Sequence, residues 1–403
     1  MMPEPVHRTI LAVDIAGFAR EDRTDQDRVR LRAAMYDLLN EAFAGMAIAA
    51  DRRAVVDVGD GAAILIDPDV PKNRLLALVP VLAKRLAEHN IGLPAPAELR
   101  LRIVVHAGEV LQDEHGYAGR DILVAFRLLN AEIVRAGLAW MESPLIVAVS
   151  DSIYRAVVDS GYAGVDPADY RPVKVTSIDG PSWAWCYVPR SSGPATDPRP
   201  PAAPSGSLPP AAARADSHYR SILLVDIENY SARPDTVKGR LRHSLRSMVL
   251  ESIAAAGISP EHHDPPGDQG DGLHVLFGPN VAKNRLIHPL VSYLAARLDR
   301  HNTNVPERER LRLRVVVDAG DLRRDNDGYY GAALDEAFGL LNCDELRACL
   351  AAAAGPLVLA VSREIYEGIV RHEHDGIDPA AYETITVRPK RHDLVAWVHY
   401  PLG

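Results

Sequence analysis

The pattern of apolar and polar positions predicts a short series of strands and helices in the first half of the chain. Apolar runs predict strands at 9–13, 54–66, 99–110, 144–149 and 170–188, the second of these being two short strands around an Asp-Gly turn. Apolar residues at helical spacing predict helices at 27–49, 72–89 and 122–136, and Ser150 is placed to cap another helix. The order β-α-β-β-α-β predicts a ferredoxin-like α+β sheet with its helices on one face.

The second half of the chain repeats the first at an offset of about 211–212 residues. ILAVDIAGF from Ile10 matches ILLVDIENY from Ile222, and GDGAAILI from Gly59 matches GDGLHVLF from Gly270. VPKNRL, LRLRIVVHAGEV and PLIVAVSDSIY recur in the same order as VAKNRL, LRLRVVVDAGDL and PLVLAVSREIY. Self-similarity at a fixed period is the signature of a repeated fold, so we expect the same domain twice.

A segment rich in Pro, Ala, Ser and Gly separates the two repeats at residues 190–217. It has almost no large apolar side chains, so it predicts a flexible to semi-extended linker rather than part of a core. The expected domains are therefore residues 1–189 and 218–403. The linker keeps each domain at a high effective concentration for the other, which favours pairing within one chain.

Composition and charge narrow the class of protein. The 403 residues are 47% hydrophobic and 25% charged, as in ordinary globular proteins, and the net charge is −9. Binding to nucleic acid needs a basic face, so the acidic balance argues against nucleic acid as a partner. The three cysteines, Cys186, Cys343 and Cys349, predict no disulfide framework and suit a reducing compartment. Because the chain carries neither a signal-peptide pattern nor a membrane-spanning run, we expect a cytoplasmic protein without a membrane partner.

Two aspartates in each repeat are the candidates for chemistry. Asp14 closes the first strand and Asp60 lies at the tip of the hairpin, and Asp226 and Asp271 occupy the same places in the second repeat. If the hairpin lies beside a central first strand, the two carboxylates converge and repel one another unless a cation is present. With a backbone carbonyl they form a set of hard oxygen ligands that suits Mg²⁺ or Mn²⁺. The alternative stays open, because Asp-Gly is a common hairpin turn and a strand-end aspartate often caps a helix.

The first repeat carries four short motifs in a fixed order. They are Asp14-Ile15-Ala16-Gly17-Phe18, Gly59-Asp60-Gly61, His106-Ala107-Gly108-Glu109 and Ala125-Phe126-Arg127-Leu128. In this order they resemble the catalytic domains of the class III nucleotidyl cyclases, which are the adenylate and guanylate cyclases. The resemblance covers most of both repeats and implies two cyclase-homology domains that form an intrachain pseudo-dimer, with further homo-oligomerisation left open.

The resemblance also implies a reaction. In such pairs the 3′-hydroxyl of a nucleoside triphosphate attacks the α-phosphate and pyrophosphate leaves, at a site between two domains. One domain holds Mg²⁺ or Mn²⁺, and the other holds the base and stabilises the transition state. The implied metal-binding residues are Asp14, Ile15 and Asp60 in the first repeat and Asp226, Ile227 and Asp271 in the second. The implied catalytic residue is Arg127, and the implied substrate-binding residues are Gly17, Phe18 and Asp335.

Two lysines near the ends of the repeats are further candidates for phosphate contacts. Lys174 lies in the last strand region of the first repeat and Lys390 in that of the second. A solvated lysine at the end of a strand is the alternative interpretation of both.

Several positions depart from the pattern of the resembled family. The family asparagine falls on Leu123 and Asp335, and the family arginine falls on Arg127 and Gly339. Only the pairing of the Asp226 and Asp271 carboxylates with Arg127 therefore keeps a transition-state cation, whose loss typically costs about 10²–10³ in rate. The residues that read the base in the family fall on Val56, Gly267, Gly116 and Gly328. The base of the substrate is therefore left open.

Three functions remain open at this stage. The retained aspartates favour a metal-dependent nucleotidyl cyclase. The lost asparagine, arginine and base-reading residues favour a catalytically degenerate module that binds a nucleotide or regulates a partner. A purely structural interaction protein is the third alternative.

Overall fold

The computed structural model describes residues 4–113, 116–140, 143–162, 164–177, 180–188, 216–324, 328–374, 376–387 and 394–401. These residues form two sheets of eight strands, one in each half of the chain. Both sheets are mixed, and each is covered by helices. The architecture is α+β, as the sequence predicts.

The first half places its first strand in the middle of the sheet. Its strands are β1 (Val6–Ile15), β2 (Arg53–Asp57), β3 (Gly61–Ile66), β4 (Leu101–Asp113), β5 (Gly116–Ala118), β6 (Leu145–Ser150), β7 (Tyr170–Ser177) and β8 (Gly180–Tyr187). Its helices are α1 (Asp25–Gly45), α2 (Lys72–His89), α3 (Arg120–Leu129), α4 (Glu132–Trp140) and α5 (Asp151–Ile153). The strand order is β2-β3-β1-β4-β6-β8-β7, and β5 pairs with β4.

The second half repeats this arrangement. Its strands are β9 (His218–Ile227), β10 (Gly267–Asp268), β11 (Gly272–Phe277), β12 (Leu313–Arg324), β13 (Tyr329–Tyr330), β14 (Leu357–Val361), β15 (Glu383–Val387) and β16 (Leu394–His399). Its helices are α6 (Asp235–Ala255), α7 (Lys283–Arg285), α8 (Ser292–Asn304), α9 (Ala332–Leu341), α10 (Asp344–Ala352) and α11 (Arg363–Gly368). The strand order is β10-β11-β9-β12-β14-β16-β15, so the predicted repetition of one fold is confirmed.

The predicted elements of the first half agree closely with the structure. Helix α2 has the predicted bounds, and the two short strands around the Asp-Gly turn are β2 and β3. Ser150 caps α5, because its hydroxyl accepts a hydrogen bond from the Ile153 N–H. The third predicted helix is two helices, α3 and α4. Asn130 ends α3 where its backbone N–H and side-chain amide both bond to the Phe126 carbonyl.

Helices cover both faces of each sheet, so the prediction of helices on one face is wrong. In β1, Leu11 and Val13 pack with α1 and α2, whereas Ile10 and Ala12 pack with α3 and α4. The second half has the same two cores around β9. A strand buried on both faces is apolar at consecutive positions, and the run ILAV in β1 has this pattern.

The two halves contact each other at the N-terminal ends of β1 and β9. The His7 ring stacks on the Tyr219 ring with a centroid separation of 3.8 Å. The last two residues of the predicted linker belong to this contact. Ser217 Oγ accepts a hydrogen bond from the Lys72 N–H at 3.0 Å, and Asp216 pairs with Arg74. The predicted pairing of two like domains within one chain is therefore present, and residues 190–215 of the predicted linker lie outside the described residues.

Two expectations about the chain as a whole can also be compared with the structure. Cys186, Cys343 and Cys349 carry free thiols, as expected without a disulfide framework. Within the described part of the chain, no helix combines the length and the apolar character needed to cross a bilayer.

Candidate functional site

The two aspartates of each repeat come together at the C-terminal end of the central strand. Asp14 lies opposite Gly61 in the ladder between β1 and β3, and the Ile15 N–H donates to the Asp60 carbonyl at 2.9 Å. The residue Asp14 is 9% exposed, whereas Asp60 is exposed at the tip of the hairpin. The predicted convergence of the first pair is therefore present.

The second repeat reproduces this geometry. Asp226 lies opposite Gly272, and the Ile227 N–H donates to the Asp271 carbonyl at 3.0 Å. Asp226 is buried and Asp271 is exposed. Each half therefore presents one buried and one exposed carboxylate at the same end of its sheet.

A glycine follows each hairpin aspartate because the backbone of the central strand passes close to it. A Cβ atom at Gly61 would overlap the Val13 carbonyl oxygen, and one at Gly272 would overlap the Val225 carbonyl oxygen. The Asp-Gly pair in each hairpin therefore serves a close approach between two strands as well as a turn.

A third aspartate shapes each hairpin, and the sequence reasoning missed it. Asp57 accepts a hydrogen bond from the Gly59 N–H at 2.8 Å, and Asp268 accepts one from the Gly270 N–H at 2.7 Å. Such a bond to the backbone two residues ahead is typical of an aspartate that starts a turn. The repeated spacing Asp-x-Gly-Asp-Gly is the signal that identifies it.

An arginine from the neighbouring strand holds each buried aspartate. Arg102 of β4 donates from Nε to Asp14 Oδ1 at 3.0 Å and from Nη2 to Asp14 Oδ2 at 2.5 Å. Arg314 of β12 likewise lies opposite Asp226 in the ladder between β12 and β9, and the two side chains form an ion pair. Both oxygens of Asp14 therefore already accept N–H donors. The sequence reasoning missed these arginines, although the repeated segments LRLRIVV and LRLRVVV contain them.

The pKa of each buried aspartate is raised. For Asp14 burial is the main cause, the bond to Arg102 opposes it, and the charge of Asp60 adds to it. For Asp226 burial again leads, Arg314 opposes it, and Asp271 adds to it. The charged groups with the strongest effects on each pKa belong to the same half of the chain as the aspartate that they affect. The two carboxylates of each pair thus repel one another, and a cation near both would relieve that repulsion.

The donor set fits a cation that is shared with a substrate, and it is too small for an independent metal centre. Each pair supplies two carboxylates, and the Ile15 carbonyl already accepts the Phe18 N–H at 3.2 Å. Over the described ranges, no three or more His, Cys, Asp or Glu side chains gather closely enough to hold a metal ion. Mg²⁺ often binds through one or two carboxylates and completes its shell with substrate phosphates and water.

The turn after Asp14 keeps one backbone shape in both repeats. Gly17 has φ +67°, and Asn229, its counterpart, has φ 55°. Asparagine tolerates this left-handed region better than most residues, so the missing glycine of the second repeat does not change the turn. Phe18, the next residue, packs against the core that contains α1 and α2.

A buried arginine fixes the position of the same turn in the first half. Arg23 donates to the Gly17 carbonyl at 2.9 Å and the Ala16 carbonyl at 3.2 Å. It also donates to the carbonyls of Pro96 and Glu98. Helix α1 begins only at Asp25, and its first turn is acidic, which opposes rather than favours an anion at that helix end.

No contact among the described residues joins Arg127, Asp335 or Lys174 to either aspartate pair. Arg127 on α3 and Asp335 on α9 are exposed. Lys174 lies on the edge strand β7, with its Nζ 5.5 Å from the centroid of the Trp183 ring. Lys390 lies outside the described residues.

The predicted composite site between the halves stays a prediction. No contact that the structure describes joins Arg127 to Asp226 or Asp271. The described contacts between the halves include the stack of His7 on Tyr219, the bond of Arg323 to the Ser160 carbonyl and the bond of Asn280 to Asp69. Seven residues of strand, about 23 Å, separate His7 from Asp14.

A surface pocket of about 240 Å³ lies beside the aspartate pair of the second half. Gly272, which faces Asp226, lines it together with basic side chains of α6, namely Arg242, His243 and Arg246. Arg242 pairs with Asp268 of the hairpin, and Arg246 donates to the Pro266 carbonyl at 3.0 Å. Asp268 also lines the pocket and offsets part of its positive charge, and the sequence reasoning did not identify this pocket.

Comparisons with known proteins give similarity to solved structures alone. No family model matches the chain, and no curated protein matches it. The chain is similar to an adenylate/guanylate cyclase/hydrolase from Silicibacter pomeroyi, with 18% identity over 46% of this chain and 99% of that chain and a TM-score of 0.36. It is similar to the guanylate cyclase domain of RhGC from Catenaria anguillulae in complex with GTP, with 14% identity, coverage of 47% and 100%, and a TM-score of 0.33. A bacterial light-regulated adenylyl cyclase is 9% identical, over 98% of this chain and 94% of that chain, with a TM-score of 0.35.

Proposed function

We propose that this protein is a nucleotidyl cyclase that converts a nucleoside triphosphate to a 3′,5′-cyclic nucleotide and pyrophosphate. The observation that carries the proposal is the repeated acidic pair, in which a buried strand-end aspartate lies beside an exposed hairpin aspartate in both halves. Keeping two like charges together in both repeats is unfavourable unless a cation is bound. The motifs around these aspartates have the order found in the class III cyclases.

The second half is the better candidate for the phosphate end of the substrate. Asp226 and Asp271 would hold Mg²⁺ or Mn²⁺, which when bound neutralises charge on the triphosphate. Arg314 orients the Asp226 carboxylate through their ion pair. Arg242 and Arg246 line the adjacent pocket, and they would contact phosphate oxygens there in addition to Asp268 and the Pro266 carbonyl. The family resemblance gives Arg127 the role of stabilising the transition state at this pair.

A second candidate function is nucleotide binding without turnover. Two observations favour it, namely the guanidinium of Arg102 on both oxygens of Asp14 and the exposure of Arg127. A module of this kind would respond to a nucleotide and pass the signal to a partner, and it would release no pyrophosphate.

One assay separates the two functions. The purified full-length protein is incubated with ATP, GTP, CTP or UTP and with Mg²⁺ or Mn²⁺, and the cyclic nucleotide and pyrophosphate are measured. We expect product from at least one nucleotide. We expect Asp271→Asn to reduce the rate by about 10²–10³, because it removes a carboxylate that would hold the metal ion against the triphosphate. Asp299→Asn is the matched control, because Asp299 is an exposed aspartate on α8, away from the hairpin.

The melting temperature of the same samples completes the test. Stabilisation by a nucleotide without product favours the second function, because a ligand that binds only the folded state raises its stability. Neither product nor stabilisation with any of the four nucleotides would contradict both functions.

A further inference from the structure

Six buried polar residues meet where the two halves touch, and we call them the axis cluster. They are His7, Lys72 and Glu109 of the first half and Tyr219, Lys283 and Asp321 of the second. Their exposed fractions lie between 2% and 8%. The cluster is far from the aspartate pairs along β1, and the proposed reaction does not use it.

Equivalent residues of the two repeats face each other in the axis cluster. His7 and Tyr219 occupy the same place in β1 and β9, and their rings are stacked with 6° between their planes. Lys72 and Lys283 are the lysines of the repeated segments VPKNRL and VAKNRL. A pseudo-two-fold axis that relates the halves therefore passes through the ring stack.

Both lysines reach across the axis to an acid of the other half. Lys72 Nζ lies 2.7 Å from Asp321 Oδ2, and Lys283 Nζ lies 2.6 Å from Glu109 Oε1. Burial acts to lower the pKa of Lys283, but Glu109 and Glu364 outweigh it, so its pKa is raised and it stays charged. A buried lysine that lost its acid would be left as an unpaired charge, which is strongly unfavourable.

The two lysines of the axis cluster use its two rings unequally. Lys72 Nζ lies 4.0 Å and Lys283 Nζ 4.7 Å from the centroid of the Tyr219 ring, so both ammonium groups use the same phenol. The Tyr219 hydroxyl also bonds to Lys283 and, at 3.1 Å, to Glu364. The first half has Ser152 in place of Glu364 and an imidazole in place of the phenol.

The flanking contacts are asymmetric too. The Ser217 N–H donates to Asn73 Oδ1 at 3.1 Å. The counterpart of Ser217 is Pro5, which has no N–H, and the counterpart of Asn73 is Asn284. Among the described residues Asn284 Oδ1 is buried without a hydrogen-bond partner. The two sides of the axis are therefore complementary and not interchangeable.

We propose that the axis cluster makes each half select the other half of this chain over a second copy of itself. Two first halves would lack the phenol on which both lysines lie. Two second halves would bring two copies each of Asp321 and Glu364 against two lysines. The lysine–acid pairs could also form between like halves, so the choice of partner rests on the Tyr219 phenol, the additional Glu364 carboxylate and the bond of Ser217 to Asn73.

The test uses the full chain with a site for a specific protease inserted in residues 190–215 and cleaved after purification. Native mass spectrometry and size-exclusion chromatography then report which halves stay together. We expect the cleaved wild-type protein to remain a pair of one first half and one second half, with no pair of like halves. Lys72→Asp alone and Asp321→Lys alone should each weaken the pair at least about 100-fold. The double variant should restore it to within about tenfold.

Matched variants and outcomes make the result decisive. Lys84→Asp changes an exposed lysine of the same helix and should leave the pairing unchanged. Tyr219→Phe keeps the ring and should weaken the pair less than Tyr219→His. If the single variants do not fold, as judged by circular dichroism, the double variant decides, since its pairing supports the proposal and its failure overturns it. Pairs of like halves from the wild type, or unchanged pairing in a folded Lys72→Asp variant, would also overturn it.

Discussion

At the scale of single residues, the two repeats carry one aspartate at different positions, and in the second repeat it is Asp318. The first half has His106 at this place, with its ring bonded to Ser150 Oγ at 2.9 Å and to Asp121 of α3. In the second half the histidine is Asp318, and the counterpart of Asp121 is Ala333. The carboxylate thus lies on the strand instead of the helix, where it accepts a hydrogen bond from the Ala319 N–H at 2.7 Å. Burial raises the pKa of Asp318 to about 7.

This pKa predicts a specific dependence of stability on pH. The pKa in the folded protein exceeds the ordinary aspartate value of 3.8, so the stability associated with Asp318 is complete below about pH 3.8 and is lost as the pH rises through 7. Asp318→Asn cannot ionise. Relative to wild type, it should therefore gain on the order of 2 kcal/mol of unfolding free energy between pH 5 and pH 8.

Urea unfolding at both pH values measures this difference. The exposed Asp299→Asn variant serves as the control and should follow the wild-type protein at both pH values. An Asp318→Asn variant that keeps the same offset from wild type at pH 5 and pH 8 would contradict the prediction.

At the scale of elements, the hairpin of β10 and β11 depends on its closeness to β9. Gly272 lies where a side chain would overlap the Val225 carbonyl oxygen, next to the pairing of Gly272 with Asp226. The hairpin of β2 and β3 has the same constraint at Gly61. Each candidate site is thus held in shape by a strand contact that has no room for a methyl group.

Two glycine substitutions in the second half test this constraint. Gly272→Ala should lower the free energy of unfolding by about 1–3 kcal/mol, because the added methyl group forces the strands apart. Gly239→Ala lies on the exposed face of α6, where nothing occupies the space of the Cβ atom. It should instead raise the free energy by up to about 1 kcal/mol, because alanine favours helix over glycine. Thermal unfolding that changes equally in both variants would speak against a special role of Gly272.

At the scale of the whole molecule, the axis cluster links the pairing of the halves to pH. Burial, aided by Lys283, lowers the pKa of His7 to about 4. Burial acts to raise the pKa of Glu109, but Lys283 and His7 outweigh it and hold the value at about 2. His7 is therefore neutral and Glu109 charged at neutral pH, which leaves Lys72 opposite Asp321 and Lys283 opposite Glu109 and Glu364.

Acid should weaken this pairing in a defined window. The pKa of His7 lies below its value of 6.5 outside the protein, so its contribution to stability is complete above pH 6.5 and is lost as the pH falls towards 4. The glutamine of His7→Gln does not bind a proton in this range. The variant should therefore keep on the order of 3 kcal/mol of unfolding free energy that the wild type loses between pH 6.5 and pH 4. His89→Gln, at an exposed position of α2, is the matched control.

The free energy of unfolding of the three proteins, measured at several pH values between 4 and 7, checks this prediction. The wild type and His89→Gln should lose stability in parallel, and His7→Gln should follow a shallower course. Equal slopes for all three proteins would count against a neutral, buried His7.

Much of the fold could be predicted because its signals are local. Helix α2, the hairpin of β2 and β3 and the cap at Ser150 each depend on residues that are close in sequence. The meeting of Asp14 and Asp60 followed from the topology, since a hairpin beside a central strand brings strand end and turn together. The prediction of helices on one face of the sheet is wrong, because the continuous apolar run of β1 marks a strand that is buried on both faces.

The sequence by itself determined that one fold occurs twice and that two carboxylates meet at the end of each central strand, because spacing and repetition are properties of the chain. Only the tertiary structure decided that Arg102 binds Asp14. It also decided that Lys72 and Lys283 each pair with an acid of the other half, beside the stacked rings of His7 and Tyr219. These contacts join residues far apart in sequence, and which partners a buried charge meets is settled by how whole sheets pack rather than by any local pattern.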